Sequence, residues 1–237
     1  MKGGRSGKGT AEARTESAGY AAVLTGDGSV TFRNPFFNET YHSASGAVEE
    51  SMKKFVEPSN IPDIIKTADR ISILDVCFGL GYNSCAAIDF IRNHNEDISI
   101  DIVGLENDPF LKNIVGLIYP HLKHYHLIRE LFASKDCMIR KDNISIRIVW
   151  GDALKTIKSV RGIFDTCFLD PFSPKVCPHL WSKEFLSDIS GMMKKGGVLT
   201  TYSCAGSVRK NLVSAGFKVR DGPCIGRRAP STIAVKL

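Results

Sequence analysis

The sequence lacks any apolar run long enough to cross a membrane, and its first residues contain no apolar stretch of the kind found in secretory leaders. It also lacks a Cys-x-x-Cys pair, although it contains seven cysteines. They are scattered along the chain: Cys77, Cys85, Cys137, Cys167, Cys177, Cys204 and Cys224. Disulfide frameworks and zinc sites need paired or clustered cysteines, so this pattern favours reduced cysteines that act as small apolar residues. We therefore expect a soluble cytoplasmic protein without a metal site.

Acidic residues are scarce at the C-terminal end of the sequence. Residues 207–237 carry seven basic side chains against one acid, Asp221, within a chain whose net charge is +6. Such clustering favours a polyanionic partner such as nucleic acid, although a solvated basic face gives the same composition. Charge alone leaves both interpretations open.

The length of 237 residues and the hydrophobic fraction of 43% suit one α/β domain with a small extension. Residues 1–17 are rich in Gly, Ser, Lys, Arg and Glu and are expected to be a disordered tail. Residues 18–65 are predicted to form a β-hairpin and a helix, capped by Ser45 and running through Val56, that cover the carboxyl edge of a sheet. In residues 66–237, strands alternate with helices, which favours a mostly parallel sheet with helices on both faces.

The stretch Ile71–Gly81 predicts a strand that ends in a tight loop and leads directly into a helix. Gly79 and Gly81 allow the backbone to approach a ligand closely. Glu106 stands at the end of the next predicted strand, where a carboxylate accepts hydrogen bonds from ribose hydroxyls in nucleotide-binding βαβ units. The unit therefore indicates a nucleotide-like ligand, although a lone Gly-x-Gly also fits a structural turn.

Two details of the sequence distinguish between the nucleotide-like cofactors that bind to a strand–loop–helix unit of this kind. A dinucleotide fold requires a third glycine, and Ser84 stands in its place. The acidic residue late in the first strand, Asp75, instead resembles the S-adenosylmethionine loop of class I methyltransferases. In that family a glycine is usual where Cys77 stands here.

Two later strand ends also carry polar residues. The resemblance to class I methyltransferases implies that Asp152 accepts a hydrogen bond from the adenine amino group, and the alternative is that it caps the helix that begins at Ala153. The run Asp170-Pro171-Phe172 resembles the Asp/Asn-Pro-Pro-Tyr/Phe motif of amino-group methyltransferases, in which the carboxylate orients an N–H donor and the ring stacks on a flat base. A plain strand-to-loop turn also fits these letters. Tyr202 either faces the same site or is a satisfied strand tyrosine.

A more specific resemblance rests on six segments in chain order. They are Leu24–Ser29, Tyr41–Glu50, Phe78–Asn83, Leu169–Ser182, Thr201–Arg209 and Gly216–Arg228. Together they are similar to the methyltransferase half of the bifunctional MnmC wobble-uridine enzyme and to stand-alone relatives of that half. The resemblance implies a Rossmann-like class I fold with a seven-stranded sheet, S-adenosyl-L-methionine as cofactor, and tRNA as partner. It implies methylation of the aminomethyl group of 5-aminomethyl-(2-thio)uridine, without the FAD-dependent half of the bifunctional enzymes.

The resemblance and the strand-end positions together assign expected roles to individual residues. Cofactor binding is expected from Asp75, Phe78, Gly79, Leu80, Gly81, Asn83, Glu106, Asp152, Ala153 and Asp170. A place at the reacting atoms is expected for Asp170, Phe172 and Tyr202. Substrate contacts are expected from Tyr41, Trp181, Arg209, Arg227 and Arg228. The sequence leaves the oligomeric state open.

The expected reaction is in-line methyl transfer to a neutral primary amine, because an ammonium has no free lone pair. Asp170 either aligns the N–H groups or accepts a proton. Alignment is favoured, since a carboxylate of ordinary pKa is a poor base at neutral pH. Two other functions fit the same residues: methylation of a small amine or a protein side chain, and RNA binding by an inactive protein of this fold.

Overall fold

The computed structural model describes residues 19–237, so the tail predicted at residues 1–17 lies outside the described residues. The strands are β1 (Ala21–Leu24), β2 (Val30–Asn34), β3 (Glu39–Thr40), β4 (Arg70–Val76), β5 (Ser99–Glu106), β6 (Met138–Lys141), β7 (Ile144–Trp150), β8 (Phe164–Leu169), β9 (Met193–Thr201), β10 (Phe217–Asp221) and β11 (Thr232–Lys236). The α-helices are α1 (Ala47–Glu50), α2 (Ile61–Ile64), α3 (Tyr82–His94), α4 (Leu111–Ile114), α5 (Tyr125–Ala133), α6 (Ala153–Thr156), α7 (Lys183–Gly191) and α8 (Gly206–Ser214). Short 3₁₀ turns cover Val115–Leu117, Ile157–Ser159 and Pro178–Trp181, and a π-helical turn covers Ser51–Val56.

The main sheet has the strand order β10-β11-β9-β8-β4-β5-β7-β6. Strand β4 pairs in parallel with β5 and β8, and the parallel pairing continues from β5 to β7 and from β8 to β9. The remaining strands, β6, β10 and β11, join antiparallel. The mostly parallel α/β sheet predicted from the sequence is confirmed. Its strand order reverses at β4, where ligands bind in folds of this kind.

The prediction of seven strands is wrong by one, because the main sheet has eight. The additional strand is β6 at the sheet edge, which forms a hairpin with β7. Asp142 and Asn143 make the connection, and Asp142 adopts a left-handed φ of 50°. Strand β6 has four residues, of which none is buried, and it therefore lacks the apolar alternation that identifies a strand in sequence.

The core lies on both faces of the sheet, as the alternation of side chains along β4 illustrates. Ile71 and Ile73 pack into a cluster with α3, α5 and the front segment, including the fully buried Phe55. Leu74 and Val76 pack on the opposite face with α6, α7 and α8. A fully buried apolar side chain contributes about 1.5–3 kcal/mol to folding, so both layers contribute substantially.

The front segment, defined as residues 19–65, forms the predicted hairpin β1–β2, which β3 extends into a small antiparallel sheet. The helix predicted from Ser45 to Val56 instead begins at Ala47 and widens at Ser51 into the π-helical turn. In this turn the N–H of Glu57 donates to the carbonyl of Met52 over 2.9 Å. The front segment shares the first core cluster and is therefore packed firmly against the sheet.

Within residues 19–237, no helix combines the length and the apolar character that a membrane span requires. The same residues do not bring three or more His, Cys, Asp or Glu side chains together as a metal ligand set. All seven cysteines are free thiols.

We expect Gly104→Ala to lower the free energy of unfolding by about 1–3 kcal/mol, as overpacked core substitutions do. A Cβ at this position in β5 would lie 2.5 Å from Cδ2 of Phe78, whose ring is almost fully buried. Urea unfolding checks the value. The matched control is Gly116→Ala, where a Cβ meets nothing within 4 Å. Equal stability changes in the two variants would contradict the packing described here.

Candidate active site

A cavity of about 530 Å³ lies at the carboxyl ends of the central strands, within the size range of small-ligand sites. Its floor consists of the loop Cys77–Gly79, Glu106 and the loop Asp170–Ser173. Its roof consists of residues 33–43 of the front segment together with Glu50 and Lys54. A smaller cavity of about 300 Å³ adjoins it, and Cys77 and Glu106 line both. Residues of the front segment thus lie over the carboxyl edge of the sheet.

The loop between β4 and α3 depends on three left-handed residues. Cys77, Gly79 and Gly81 have φ angles of 64°, 56° and 76°. A Cβ on Gly81 would lie 2.6 Å from Cγ2 of Ile128, so this position has no room for a side chain. The position of Cys77 explains why a glycine is usual there, because left-handed backbone is unfavourable for most side chains. Cys77 lines both cavities, and burial raises the pKa of its thiol.

Glu106 connects the glycine loop to the end of β5. One carboxylate oxygen accepts from the N–H of Gly79 at 2.7 Å, and the other accepts from Asn107 and Asp108 at 2.7 and 2.8 Å. The side chain is 7% exposed, and burial raises its pKa. These bonds fix a carboxylate at the junction of the two cavities, where a diol or another pair of donors can reach it.

Asp170 follows β8 and lines the larger cavity. The side-chain amide of Asn83, at the start of α3, donates to Oδ2 of Asp170 over 2.8 Å. Burial raises the pKa of Asp170 well above its usual range, and the nearby carboxylate of Glu50 raises it further. Asp170 is therefore a stronger proton acceptor than an ordinary carboxylate. Alignment alone was favoured for a carboxylate of ordinary pKa, and Asp170 does not meet that condition.

Aromatic rings surround the loop that follows Asp170. The ring centroid of Phe172 lies 4.8 Å from that of Phe37 and 5.2 Å from that of Tyr41. Tyr202 also lines the cavity, and its hydroxyl donates to the carbonyl of Pro171 over 2.9 Å. Both alternatives for Tyr202 thus hold at once, because its hydroxyl is satisfied while its ring borders the site.

Asp152 caps a helix and also lines the smaller cavity. Its Oδ1 accepts from the N–H of Leu154 over 3.0 Å, so Asp152 caps α6. It is exposed and lines the smaller cavity together with Leu105 and Ala153. This cavity combines apolar walls with two acidic residues, Glu106 and Asp152.

The structure corrects the prediction that Trp181 contacts the substrate, and it shows that Arg209 has partners within the protein. Trp181 is 2% exposed, and its indole N–H donates to the carbonyl of Phe172 over 2.9 Å. It therefore supports the Phe172 loop from beneath and cannot stack on a base. Arg209 forms an ion pair with Asp221 at 2.7 Å and donates to Thr232 at 3.0 Å. Its guanidinium thus holds the last strands together and lies outside both cavities.

Four residues predicted to bind the cofactor lie behind the cavity walls. Asp75 is fully buried and accepts a 2.6 Å hydrogen bond from Ser84, and the carbonyl of Leu80 accepts from Tyr125 at 2.8 Å. Gly81 provides the turn, and Asn83 holds Asp170. The other predicted cofactor residues line a cavity: Phe78, Gly79, Glu106, Asp152, Ala153 and Asp170.

The two remaining arginines differ from each other. Arg227 lines the larger cavity, and its guanidinium donates to the carbonyl of Tyr202 and lies 5.8 Å from the centroid of that ring. Arg228 is exposed outside the cavity. Both remain predicted RNA contacts.

Several polar residues that line the cavity were not among those predicted from the sequence. Glu39 accepts hydrogen bonds from the backbone and side chain of Ser173. These bonds attach the roof of the cavity to the loop that follows Asp170. Asp108, beyond the end of β5, accepts from the hydroxyls of Tyr20 and Tyr41. The aromatic and polar character of residues 34–43 was the available signal, but no local pattern specifies these partners.

Comparisons with known proteins agree with this geometry. A family model described as S-adenosyl-L-methionine-dependent methyltransferase matches residues 118–237. The crystal structure of MNMC2 from Aquifex aeolicus has a TM-score of 0.79 and 35% identity, and the match covers 92% of this chain and 70% of that one. An uncharacterized protein of Methanocaldococcus jannaschii is 33% identical over 222 residues, covering 92% of this chain and 60% of its own.

The bifunctional proteins are more distant and longer. The tRNA 5-methylaminomethyl-2-thiouridine biosynthesis bifunctional protein MnmC of Pseudomonas fluorescens is 26% identical over 212 residues, covering 83% of this chain and 32% of that protein. The chain therefore spans about a third of such a protein and 60% of the archaeal relative. The recognised similarity to MnmC methyltransferase domains is confirmed.

We expect the stability difference between the wild type and Asp75→Asn to depend on pH. Burial raises the pKa of Asp75 to about 8, against about 3.9 in an unfolded chain. Between these values the folded state binds more protons at this group, so its contribution to stability falls as pH rises from 4 to 8.

Urea unfolding from pH 5 to pH 8 measures this dependence. The wild type should lose stability relative to Asp75→Asn as the pH increases. A difference that stays constant with pH would contradict the burial of a carboxylate without a cationic partner under the glycine loop.

Proposed function

The chain belongs to the S-adenosyl-L-methionine-dependent methyltransferase family, and from this premise we propose that it methylates the aminomethyl nitrogen of 5-aminomethyl-(2-thio)uridine at the tRNA wobble position. The similarity to MnmC proteins supports this substrate. The observation that carries the proposal is Asp170, a partly buried carboxylate beside an aromatic cluster, in one cavity with Glu106.

The residues present fit the cofactor. Glu106 offers a carboxylate to the ribose hydroxyls at the junction of the two cavities. The smaller cavity, with Leu105, Ala153 and Asp152, suits an adenine ring that has an apolar face and an amino edge. Gly79 brings bare backbone to the cavity wall, where a Cβ would lie 3.4 Å from the ring of Tyr41.

When bound, S-adenosyl-L-methionine supplies an electrophilic sulfonium methyl group. Asp170 accepts an N–H of the substrate amine and directs its lone pair, while Asn83 holds the carboxylate in place. A primary ammonium ordinarily has a pKa near that of lysine, about 10.4, and the raised pKa of Asp170 narrows the gap between the two groups. Proton transfer from the ammonium to Asp170 therefore costs less than it would to an exposed carboxylate, so Asp170 is suited to accept a proton as well as to align the N–H groups.

The aromatic cluster suits a flat substrate such as a nucleobase. Chemistry on a nucleobase requires the base to leave its stack, and an enzyme compensates with rings of its own. Phe172 and Tyr41 border the cavity beside Asp170, while Trp181 and Tyr202 fix the Phe172 loop through two backbone carbonyls. Arg227, at the cavity wall, and Arg228, on the surface, are the proposed phosphate contacts.

The direct test incubates the purified protein and cofactor with tRNA that carries 5-aminomethyluridine, followed by mass spectrometry of the nucleosides. The expected product is 5-methylaminomethyluridine. Methylation of free alkylamines but not of this tRNA would instead favour a small-amine enzyme, and no affinity for the cofactor by calorimetry would favour an inactive RNA-binding protein.

We expect Asp170→Ala to reduce turnover by about 10²–10⁴-fold, the usual contribution of a positioned acid–base group. The dissociation constant of S-adenosyl-L-methionine should change by less than about threefold, because Glu106 is intact. Single-turnover kinetics and calorimetry measure the two values. Asp188→Ala, an exposed position on α7, is the control. An unchanged rate in Asp170→Ala would remove Asp170 from the reaction.

A further inference from the structure

Lys54 is a buried cation in the wall of the active-site cavity. It is 3% exposed and belongs to the π-helical turn of the front segment. Its ammonium donates to Oε1 of Glu50 over 2.5 Å, and the N–H of Ser43 donates to Oε2 of the same carboxylate at 2.7 Å. Glu50 and Lys54 both line the cavity that contains Asp170.

The hydrogen-bonding capacity of Lys54 is incompletely used. A lysine ammonium has three donors, and within residues 19–237 Glu50 is the one acceptor that it contacts. Buried donors without partners are costly, so the two others require acceptors in the cavity. Because Glu50 neutralises the charge of Lys54, the pair leaves Asp170 free to attract an amine.

The backbone that carries Lys54 is unusual and firmly anchored. π-Helical turns are rare and often lie at functional sites, because they alter the direction of the side chains. The carbonyl of Phe55 accepts a 3.1 Å hydrogen bond from the hydroxyl of Thr200 in β9. The turn is therefore fixed to the sheet beside Asp170, and Lys54 cannot easily withdraw from the cavity.

Resting on the proposed function, we propose that Lys54 is a specificity-determining residue that donates to the carbonyl oxygen adjacent to the aminomethyl group of the base. In 5-aminomethyluracil, the ring carbon that bears the aminomethyl group adjoins the C4 carbonyl. Asp170 then receives the amine and Lys54 receives the neighbouring oxygen, which gives two-point recognition. A cytosine ring has an amino group at C4 in place of the carbonyl oxygen. This group is a donor, so the Lys54 ammonium would find no acceptor there.

The test compares two synthetic anticodon stem-loop RNAs that carry either 5-aminomethyluridine or 5-aminomethylcytidine at the wobble position. The readout is the ratio of kcat/KM for the two RNAs. We expect the wild type to prefer the uridine RNA, and Lys54→Met to reduce this preference at least about tenfold by lowering kcat/KM for uridine. Lys54→Arg, which retains donors, should keep most of the preference.

The chain offers a matched control in the adjacent pair Lys53–Glu57, which has the same i,i+4 spacing but is exposed. Lys53→Met should leave the preference unchanged. Because Lys54→Met leaves Glu50 as an unpaired buried carboxylate, the double variant Glu50→Gln/Lys54→Met tests the same loss without that charge.

The outcomes separate the inference from the function on which it rests. A parallel fall in kcat/KM for both RNAs, or an unchanged ratio, would show that Lys54 has a purely structural role and would overturn the inference while the proposed function stands. If the wild type methylates neither RNA, the proposed function fails and the inference fails with it.

Discussion

The cover that residues 19–65 place over the carboxyl edge of the sheet is the constraint on which this site depends. The ends of parallel strands gather polar side chains at one edge, but an open edge would leave them in bulk water. Here Glu39 bonds to Ser173, and Tyr41 contacts both Asp108 and Phe172. The cover is therefore attached to the loop that follows Asp170. Buried apolar residues shared with the main core hold the cover in place.

The closed edge changes the electrostatics of the groups inside it. Five carboxylates line the larger cavity against three Lys or Arg side chains. Burial raises the pKa of Asp170 and Glu106, because an ionised carboxylate loses hydration there. Such a cavity favours cationic ligands, and both a sulfonium cofactor and an ammonium substrate carry positive charge. The net acidity of the cavity therefore favours the amine of the proposed substrate, while the basic C-terminal region favours its phosphates.

Sequence patterns were sufficient to predict the features set by local periodicity. The alternation of strands and helices predicted the parallel sheet, and the positions of Glu106 and Asp170 at strand ends placed both at one edge. The cap formed by Asp152 also followed from its place before a helix. The left-handed backbone at Cys77 accords with the glycine that is usual there.

Other features depend on contacts that local sequence does not encode. Strand β6 has too few buried residues to produce a strand pattern, and the π-helical turn differs from an ordinary helix by one residue of spacing. Trp181 and Arg209 resemble surface recognition residues by type, but distant partners bury one and neutralise the other. The functional interest of Lys54 depends on its burial beside Asp170, and the adjacent Lys53 is exposed.

A crystal structure with S-adenosylhomocysteine tests the central claim most directly, namely that the covered edge forms one chamber for the cofactor and the reacting amine. The account predicts ribose hydroxyls within hydrogen-bonding distance of Glu106, adenine beside Ala153, and the sulfur atom facing Asp170 and Phe172. A ligand bound elsewhere, or an Asp170 carboxylate turned away from the sulfur atom, would contradict it.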